Sequence, residues 1–339
     1  MGRAVSAASL ARLLRDPATA GALSAADWTG LVTAARAERL LASLAARLDG
    51  LDLPPAVRRI LDNAGADAEA ARVHALWEVE MARRALAPLG VPVVLLKGSA
   101  YVAAGLSAGV GRLVGDLDIL VSREALPAVE AALLGAGWEW VKPDPYDDGY
   151  YRRWMHELPP LIHRDRDRII DVHHTILPPT ARPTPDAVAL VEASVPLENG
   201  LRVLAPEDMV VHAVAHLFAD GDLEGGLRNL WDIDRLVREF DGDGFAERLR
   251  ARATMHGLAR HLDRALLLSE ALFATSVVAG RPWQGNDDLF RARLLARDGW
   301  GRATNRPVRL GFYLRSHLIR MPLRLLVPHL ARKAFRASG

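Results

Sequence analysis

Residues 111–121, GRLVGDLDILV, place two aspartates inside an apolar run that otherwise predicts a buried strand. Side chains of a strand alternate between its two faces, so Asp116 and Asp118 share one face while the apolar residues between and after them point to the core. Two carboxylates this close repel each other, and a divalent cation removes that repulsion. Hard oxygen ligands suit Mg²⁺, although an isolated Asp-x-Asp is also compatible with a strand end in water.

The segment LLKGSAY, residues 95–101, predicts a second strand that runs into a turn and then a helix. Backbone N–H groups of such a turn, together with the Ser99 hydroxyl and Lys97, form a candidate anion-binding site. The same letters also fit an ordinary strand-to-helix turn. The spacing of a P-loop is absent, so the segment is not of that type.

A third acidic position lies in RIIDVHHTI, residues 168–176, where Asp171 shares a face of a predicted strand with His173. A carboxylate beside the Asp116–Asp118 pair would complete a two-metal site, in which one ion activates the attacking oxygen and the other holds a triphosphate. A polar edge strand facing solvent is the alternative interpretation.

The order of these motifs resembles the nucleotidyltransferase superfamily of polymerase β-like proteins. More narrowly, the chain is similar to the uncharacterised-nucleotidyltransferase family, through LLKG at 95–98, Arg112 followed by DLDILV at 116–121, and an acidic-x-His element at 171–173. The later segments PEDMVVHAVAH and NLWDIDRLV also resemble the helical half of that family. The resemblance covers roughly residues 80–240.

The resemblance implies Mg²⁺-dependent transfer of a nucleotidyl group from an NTP to a hydroxyl or similar group, with release of pyrophosphate. Asp116 and Asp118 would be ligands of Mg²⁺, or of Mn²⁺ in its place, and Asp171 would be a third ligand or the general base. The remaining expected residues would contact the nucleotide, and they are Lys97, Gly98, Ser99, Arg112, His173 and His216. Many superfamily members have Gly-Ser or Gly-Gly-Ser where this chain has Lys-Gly-Ser, so its grip on the triphosphate is expected to differ.

The expected partners are an NTP, with ATP as the first candidate, and a small-molecule, peptide or protein acceptor. Two other functions remain open: a metal-dependent phosphohydrolase with His and Asp ligands, and a catalytically silent nucleotide-binding module. A metal held by carboxylates alone favours transfer, whereas histidine ligation favours hydrolysis.

His212 and His216 are four residues apart on a predicted helix and therefore share a face. With Asp220 or Asp232 they could bind a metal, but packed or capping histidines account for the pattern more simply. In the family resemblance this helix flanks the cleft, which is why His216 is a candidate contact of the nucleotide or acceptor.

Hydrophobic periodicity divides the chain into four segments: a helical region (1–90), an α/β core (91–205), a second helical region (206–300) and a basic amphipathic tail (301–339). The predicted class is therefore α+β, and the resemblance adds a small mixed β-sheet as the nucleotidyltransferase core. The turn-rich, aromatic segment 144–156 is predicted to be an exposed loop that either covers a ligand or packs on the surface.

The amino-acid composition and the N-terminal segment bear on which kinds of site and which location to expect. The 339 residues carry a formal net charge of only +2 and no cysteine, which excludes disulfides, thiolate catalysis and cysteine-ligated zinc. The N-terminus lacks the apolar run of a signal peptide, so a cytoplasmic location is expected.

The tail has nine Lys or Arg and no Asp or Glu. We expect it to pack on the helical region, with peripheral membrane contact as the alternative, and the weak net charge argues against a dedicated nucleic-acid binder.

Overall fold

The computed structural model describes residues 5–141, 145–219, 221–277 and 279–320. The chain begins with helices that pack against one another through alanine and leucine. They are α1 (Ala7–Arg15), α2 (Ala25–Ala37), α3 (Leu41–Arg47) and the long α4 (Pro55–Leu86). Pro55 suits the first turn of α4 because the N–H that proline lacks would have no helical partner there.

Strands and short helices alternate in the middle of the chain. The strands are β1 (Val94–Leu95), β2 (Leu117–Leu120), β3 (Trp138–Trp140), β4 (Leu161–His163), β5 (Ile169–His173), β6 (Val195–Pro196) and β7 (Arg202–Val203). The helices among them are α5 (Lys97–Ala103), α6 (Leu126–Gly135), α7 (Pro145–Trp154) and α8 (Ala187–Glu192).

These strands form a seven-stranded sheet in the order β3-β4-β5-β2-β1-β7-β6. The central pair, β2 and β5, is parallel, as is β1 with β7, and the other neighbours are antiparallel. The sheet is therefore mixed, and the predicted α+β class with flanking helices is confirmed. A hairpin turns at Asn199-Gly200, where β6 and β7 pair across it and the Leu197 N–H donates to the Leu201 carbonyl over 2.7 Å.

The C-terminal helices follow the sheet. They are α9 (Pro206–Ala219), α10 (Gly226–Phe240), α11 (Phe245–Met255), α12 (Ala259–Phe273), α13 (Gly285–Leu294) and α14 (Arg306–Arg320). Helix α9 is packed between α10 and α11 and also touches α5, which begins at the Lys97 turn. The buried apolar side chains form a cluster that extends from α1 through the sheet to α14. The strands that carry the aspartates are thus packed among helices on a shared apolar core.

The prediction of an exposed loop at 144–156 is wrong for most of that segment, because α7 occupies Pro145–Trp154. A proline at the first helical position and a tertiary ion pair outweigh the turn-like composition. The Arg152 guanidinium donates to both carboxylate oxygens of Glu130 in α6, over 3.0 and 2.8 Å. Residues 142–144 lie outside the described residues.

The described part of the basic tail is α14. Its Phe312 is buried against the ring of Phe290 in α13, with the ring centroids 4.9 Å apart, so this part of the tail packs on the helical region as expected. Residues 321–339 lie outside the described residues. Among the described residues, no helix combines the length and the apolar character needed to cross a membrane.

Candidate active site

The parallel pairing of β2 with β5 brings the predicted carboxylates together. Asp118 lies directly opposite Asp171 in this register, and Asp116 immediately precedes β2. One carboxylate oxygen from each of the three lies within 4.8 Å of the others. Three converging carboxylates form a set of hard oxygen donors, which is the ligand chemistry that Mg²⁺ prefers.

The three carboxylates differ in burial. Asp116 is exposed, Asp171 is partly buried, and Asp118 is only 2% exposed. All four residues of β2 are buried, because α5 lies against this strand and other strands flank it. The site is thus open to solvent on the Asp116 side and closed behind Asp118.

Two basic side chains meet the buried carboxylate of Asp118. The Lys97 ammonium donates to Asp118 Oδ1 over 2.6 Å, and His173 Nε2 lies 3.0 Å from the same oxygen. Both contacts use Oδ1, which leaves the other oxygen, Oδ2, as a candidate ligand atom. Lys97 and His173, which were predicted to contact nucleotide, are therefore engaged with a predicted metal ligand in this structure.

The surroundings of this cluster lower the pKa of Asp118 and raise the pKa of Lys97 and of Asp171. Burial alone would raise the pKa of Asp118, but the charge of Lys97 and the contact with His173 outweigh it and hold that pKa well below its usual range. Burial tends to lower the pKa of Lys97, but the charge of Asp118 outweighs it and the pKa is raised. Burial, and then the charges of Asp118 and Glu157, raise the pKa of Asp171 to about 7.

The turn that carries Lys97 is tied to the aspartates through its backbone. Lys97 opens α5 with a positive φ of 48°, a conformation that L-residues seldom adopt. The Leu96 N–H donates to the Asp118 carbonyl over 3.0 Å, and the buried Ser99 hydroxyl donates to the Asp116 carbonyl over 3.3 Å. Gly98 and Ser99 are thus adjacent to the carboxylates, but both are buried in the first turn of a short helix.

Arg112 contacts the same turn from the other side. Its guanidinium forms an ion pair with buried Asp232 of α10, which also pairs with Arg228 over 2.8 Å. A Cβ added at Gly98 would lie 2.6 Å from Arg112 Nε, so this glycine is required for the arginine to pass. Arg112, predicted to offset triphosphate charge, therefore joins α10 to the turn beside the carboxylates.

Two further residues, His156 and Glu157, lie at this site and were not predicted from the sequence. They precede β4 and lie alongside the end of β5, where Glu157 and His173 form an antiparallel bridge. Glu157 Oε2 lies 3.4 Å from His173 Nδ1, and the rings of His156 and His173 are 5.1 Å apart. The three residues form a second group with metal-ligand spacing. Only the sheet pairing brings them together, and a lone His-Glu dipeptide gave no signal for it.

The helix histidines lie behind the site. His212 is 3% exposed and His216 is partly buried on α9. Burial, and then the positive charge of Lys97, lower the pKa of His216 to about 4, so its ring is neutral at pH 7. Asp232 is occupied by two arginines, which removes it from a metal site with these histidines. Asp220 lies outside the described residues.

A shallow depression of about 250 Å³ lies on the open side of Asp116. Its wall includes Ser99, Gly115 and Asp116 from the site, and His74, Glu78 and Arg168 from α4 and the approach to β5. Solvent therefore reaches Asp116 from a surface that carries charged groups of both signs, Glu78 and Arg168.

A family model described as an uncharacterised nucleotidyltransferase matches residues 24–274, about three quarters of the chain. No curated protein and no solved structure matches this chain. The matched range extends from α2 to the residue after α12 and includes every residue of the carboxylate site.

Proposed function

Because the chain belongs to the uncharacterised nucleotidyltransferase family, we propose that it transfers a nucleotidyl group from an NTP to a hydroxyl or similar group of an acceptor. One observation carries this proposal: carboxylate oxygens of Asp116, Asp118 and Asp171 lie within 4.8 Å of one another where β2 and β5 run side by side. ATP is the first candidate for the NTP. A small molecule, a peptide or a protein side chain would serve as the acceptor.

The donor set fits the divalent cation that such a transfer needs. Asp116 and Asp118 would hold Mg²⁺, or Mn²⁺ in its place, through oxygens alone, as both ions prefer. The bound ion would supply Lewis-acid stabilisation of charge on the phosphate oxygens. Lys97 and His173 keep Asp118 ionised and oriented, because both bind its Oδ1.

The reaction proposed for this site is an in-line displacement. The acceptor oxygen forms a bond to the α-phosphorus, and the bond from that phosphorus to the oxygen bridging to the β-phosphate breaks, so pyrophosphate leaves with the electron pair. Asp171, beside Asp118 and partly accessible, takes the acceptor proton or completes the ligand set. Positioning and charge neutralisation carry most of the rate in such transfers.

The direct test is a screen of α-³²P-labelled NTPs with Mg²⁺ or Mn²⁺ against small-molecule, peptide and protein acceptors. Label should pass to an acceptor and pyrophosphate should be released, and Asp116→Asn should abolish both. Asp116 suits this test because it is exposed, so its substitution spares the core. Asp165→Asn, in the exposed turn before β5, is the matched control and should behave as wild type. Transfer that Asp116→Asn leaves unchanged would exclude the proposed site.

The phosphohydrolase alternative is favoured by one observation, the histidines beside Glu157. It predicts release of inorganic phosphate or a nucleoside monophosphate from substrate without any acceptor. A catalytically silent module predicts neither product. Calorimetry with an α,β-methylene NTP and Mg²⁺ would then still detect binding, and Asp116→Asn would weaken it.

A further inference from the structure

We propose that His156, Glu157 and His173 form a second cation site, which binds a transition-metal ion of the Zn²⁺ or Co²⁺ type beside the carboxylate site. One potential ligand atom from each residue lies within 4.8 Å of the other two. This proposal does not rest on the transfer reaction, since its donors include two imidazole nitrogens that Mg²⁺ does not favour, although His173 also contacts Asp118 of the carboxylate site.

The backbone holds the three donors in place. The His174 N–H donates to the His156 carbonyl and the Leu158 N–H donates to the Val172 carbonyl, each over 2.9 Å. These two bonds bracket the Glu157–His173 bridge, so the segment before β4 is aligned with the end of β5. The donors therefore stand on paired strand-like backbone, which fixes them more firmly than a free loop would.

The two ring nitrogens of His173 have different surroundings. His173 Nε2 lies 3.0 Å from Asp118 Oδ1, and a ring that donates to this carboxylate through Nε2 can offer the lone pair of Nδ1 to a metal ion. That nitrogen is buried and 3.4 Å from Glu157 Oε2, and among the described residues it has no hydrogen-bond partner. A ring nitrogen and a carboxylate oxygen at this distance can both bind one metal ion.

The partner on the other nitrogen agrees with metal ligation. A histidine that binds a metal commonly donates its second ring N–H to a carboxylate, which fixes the tautomer and the ring orientation. Asp118 is that carboxylate for His173, whose side chain is only 1% exposed. His156 Nδ1 is also buried and without a hydrogen-bond partner among the described residues, so it is a second candidate donor.

Charge and access support the same assignment. The negative charges of Asp118, Asp116 and Glu157 all act on the ammonium group of Lys97, so carboxylates outnumber the lysine in this cluster. The side chains of His156 and Glu157 are 21% and 18% exposed, which leaves an entry route from solvent. Two imidazoles with one glutamate match the ligand types of zinc sites that keep a coordination position open.

The test is binding of Zn²⁺ to the metal-free full-length protein, without NTP or acceptor, by calorimetry and by X-ray absorption at the zinc edge. Wild type should bind Zn²⁺ with imidazole scattering in the absorption spectrum, and Asp116→Asn should retain this site. Glu157→Gln, which keeps the side-chain shape, and His156→Ala should each weaken it. The loss should exceed the about 10- to 100-fold that removal of a supporting partner costs.

His74→Ala is the control, because His74 is an exposed histidine on α4 outside the cluster. Melting curves establish that each variant folds, and Glu157→Gln alone decides the outcome should His156→Ala fail to fold. The proposal is overturned by unchanged affinity in Glu157→Gln, by zinc bound without imidazole, or by loss of the imidazole-bound ion in Asp116→Asn. Since no nucleotide is present, these outcomes do not depend on the transfer reaction.

Discussion

Asp118 and Asp171 lie opposite each other in the parallel pairing of β2 with β5. Side chains at opposed positions of neighbouring strands lie on the same face of the sheet, so two carboxylates from distant parts of the chain are forced together. The pKa of Asp171 rises to about 7 in consequence, through burial first and then through the charges of Asp118 and Glu157.

Asp171→Asn should raise the stability of the metal-free protein while it lowers the rate of the proposed transfer. A carboxyl whose pKa is raised on folding destabilises the folded state as pH climbs from about 4 to 7, and each pKa unit corresponds to about 1.4 kcal/mol. The variant should therefore gain more than about 1 kcal/mol at pH 8 and little at pH 4, as measured by urea unfolding in EDTA. Transfer should fall at least about 100-fold, which is typical of losing a general base. Equal stability of the two proteins at pH 8 would contradict the proximity argument.

Asp118→Asn should destabilise the protein strongly. The substitution removes the negative partner of the largely buried Lys97, and breaking a buried ion pair from one side costs about 3–5 kcal/mol. The double variant Lys97→Met/Asp118→Asn should recover part of this loss, because it leaves no unpaired ammonium group. Chemical denaturation of the four proteins of this cycle measures the coupling, and additive effects would show that the pair contributes nothing.

Gly98→Ala should cost about 1–3 kcal/mol, the usual effect of overpacking a filled site. The new Cβ would lie 2.6 Å from Arg112 Nε, and the ion pair with Asp232 keeps that arginine from moving aside. Gly115→Ala is the matched control, because nothing lies within 4 Å of its Cβ position and its φ is not positive. Thermal melting should separate the two variants. Equal melting temperatures would mean that Arg112 adapts freely.

Acid should destabilise the C-terminal helices through Asp287. Hydrogen bonds from Arg281, with further ones from Arg264 and the Gln284 backbone, hold the pKa of this carboxyl below its usual range. A lowered folded-state pKa stabilises the protein above the unfolded pKa of about 4, and this stabilisation is lost as pH falls through the folded value. Asp287→Asn should therefore be less stable than wild type at pH 7 and should show a shallower loss below pH 4.

Asp288→Asn is the control for this titration, because among the described residues its carboxylate pairs only with Arg291, and its side chain is 51% exposed. Its stability should follow that of wild type within about 0.5 kcal/mol at every pH, as is usual for surface substitutions. If wild type, Asp287→Asn and Asp288→Asn lose stability identically in acid, protonation of Asp287 is not the cause of the acid destabilisation.

The sequence alone was sufficient for local features of the carboxylate site. Alternation in DLDILV and in IIDVHH predicted strands, and β2 and β5 are found there. The strand-to-helix turn at Lys97 was likewise predictable, since β-branched residues give way to a helical period. The sequence alone was insufficient for residues 144–156. Their composition indicated a loop, but α7 forms there and is supported by the contact of Arg152 with Glu130.

Contacts across the sheet could not be predicted from sequence. Nothing in the letters indicates that Glu157 approaches His173, that Lys97 and His173 share one oxygen of Asp118, or that Arg112 is paired with Asp232. Each of these contacts joins segments far apart in the chain, and a residue's own neighbours in sequence do not encode its partner.

Two levels of organisation can therefore be separated. Periodicity, which depends on the backbone geometry of each segment, established the α+β class, the strands that carry the aspartates and the side of each strand on which they lie. Strand order and register, which depend on burying all the apolar faces at once, established that Asp118 faces Asp171 and that His156 and Glu157 join them. The charge balance of the site belongs to this second level, because electrostatic coupling depends on distance in space.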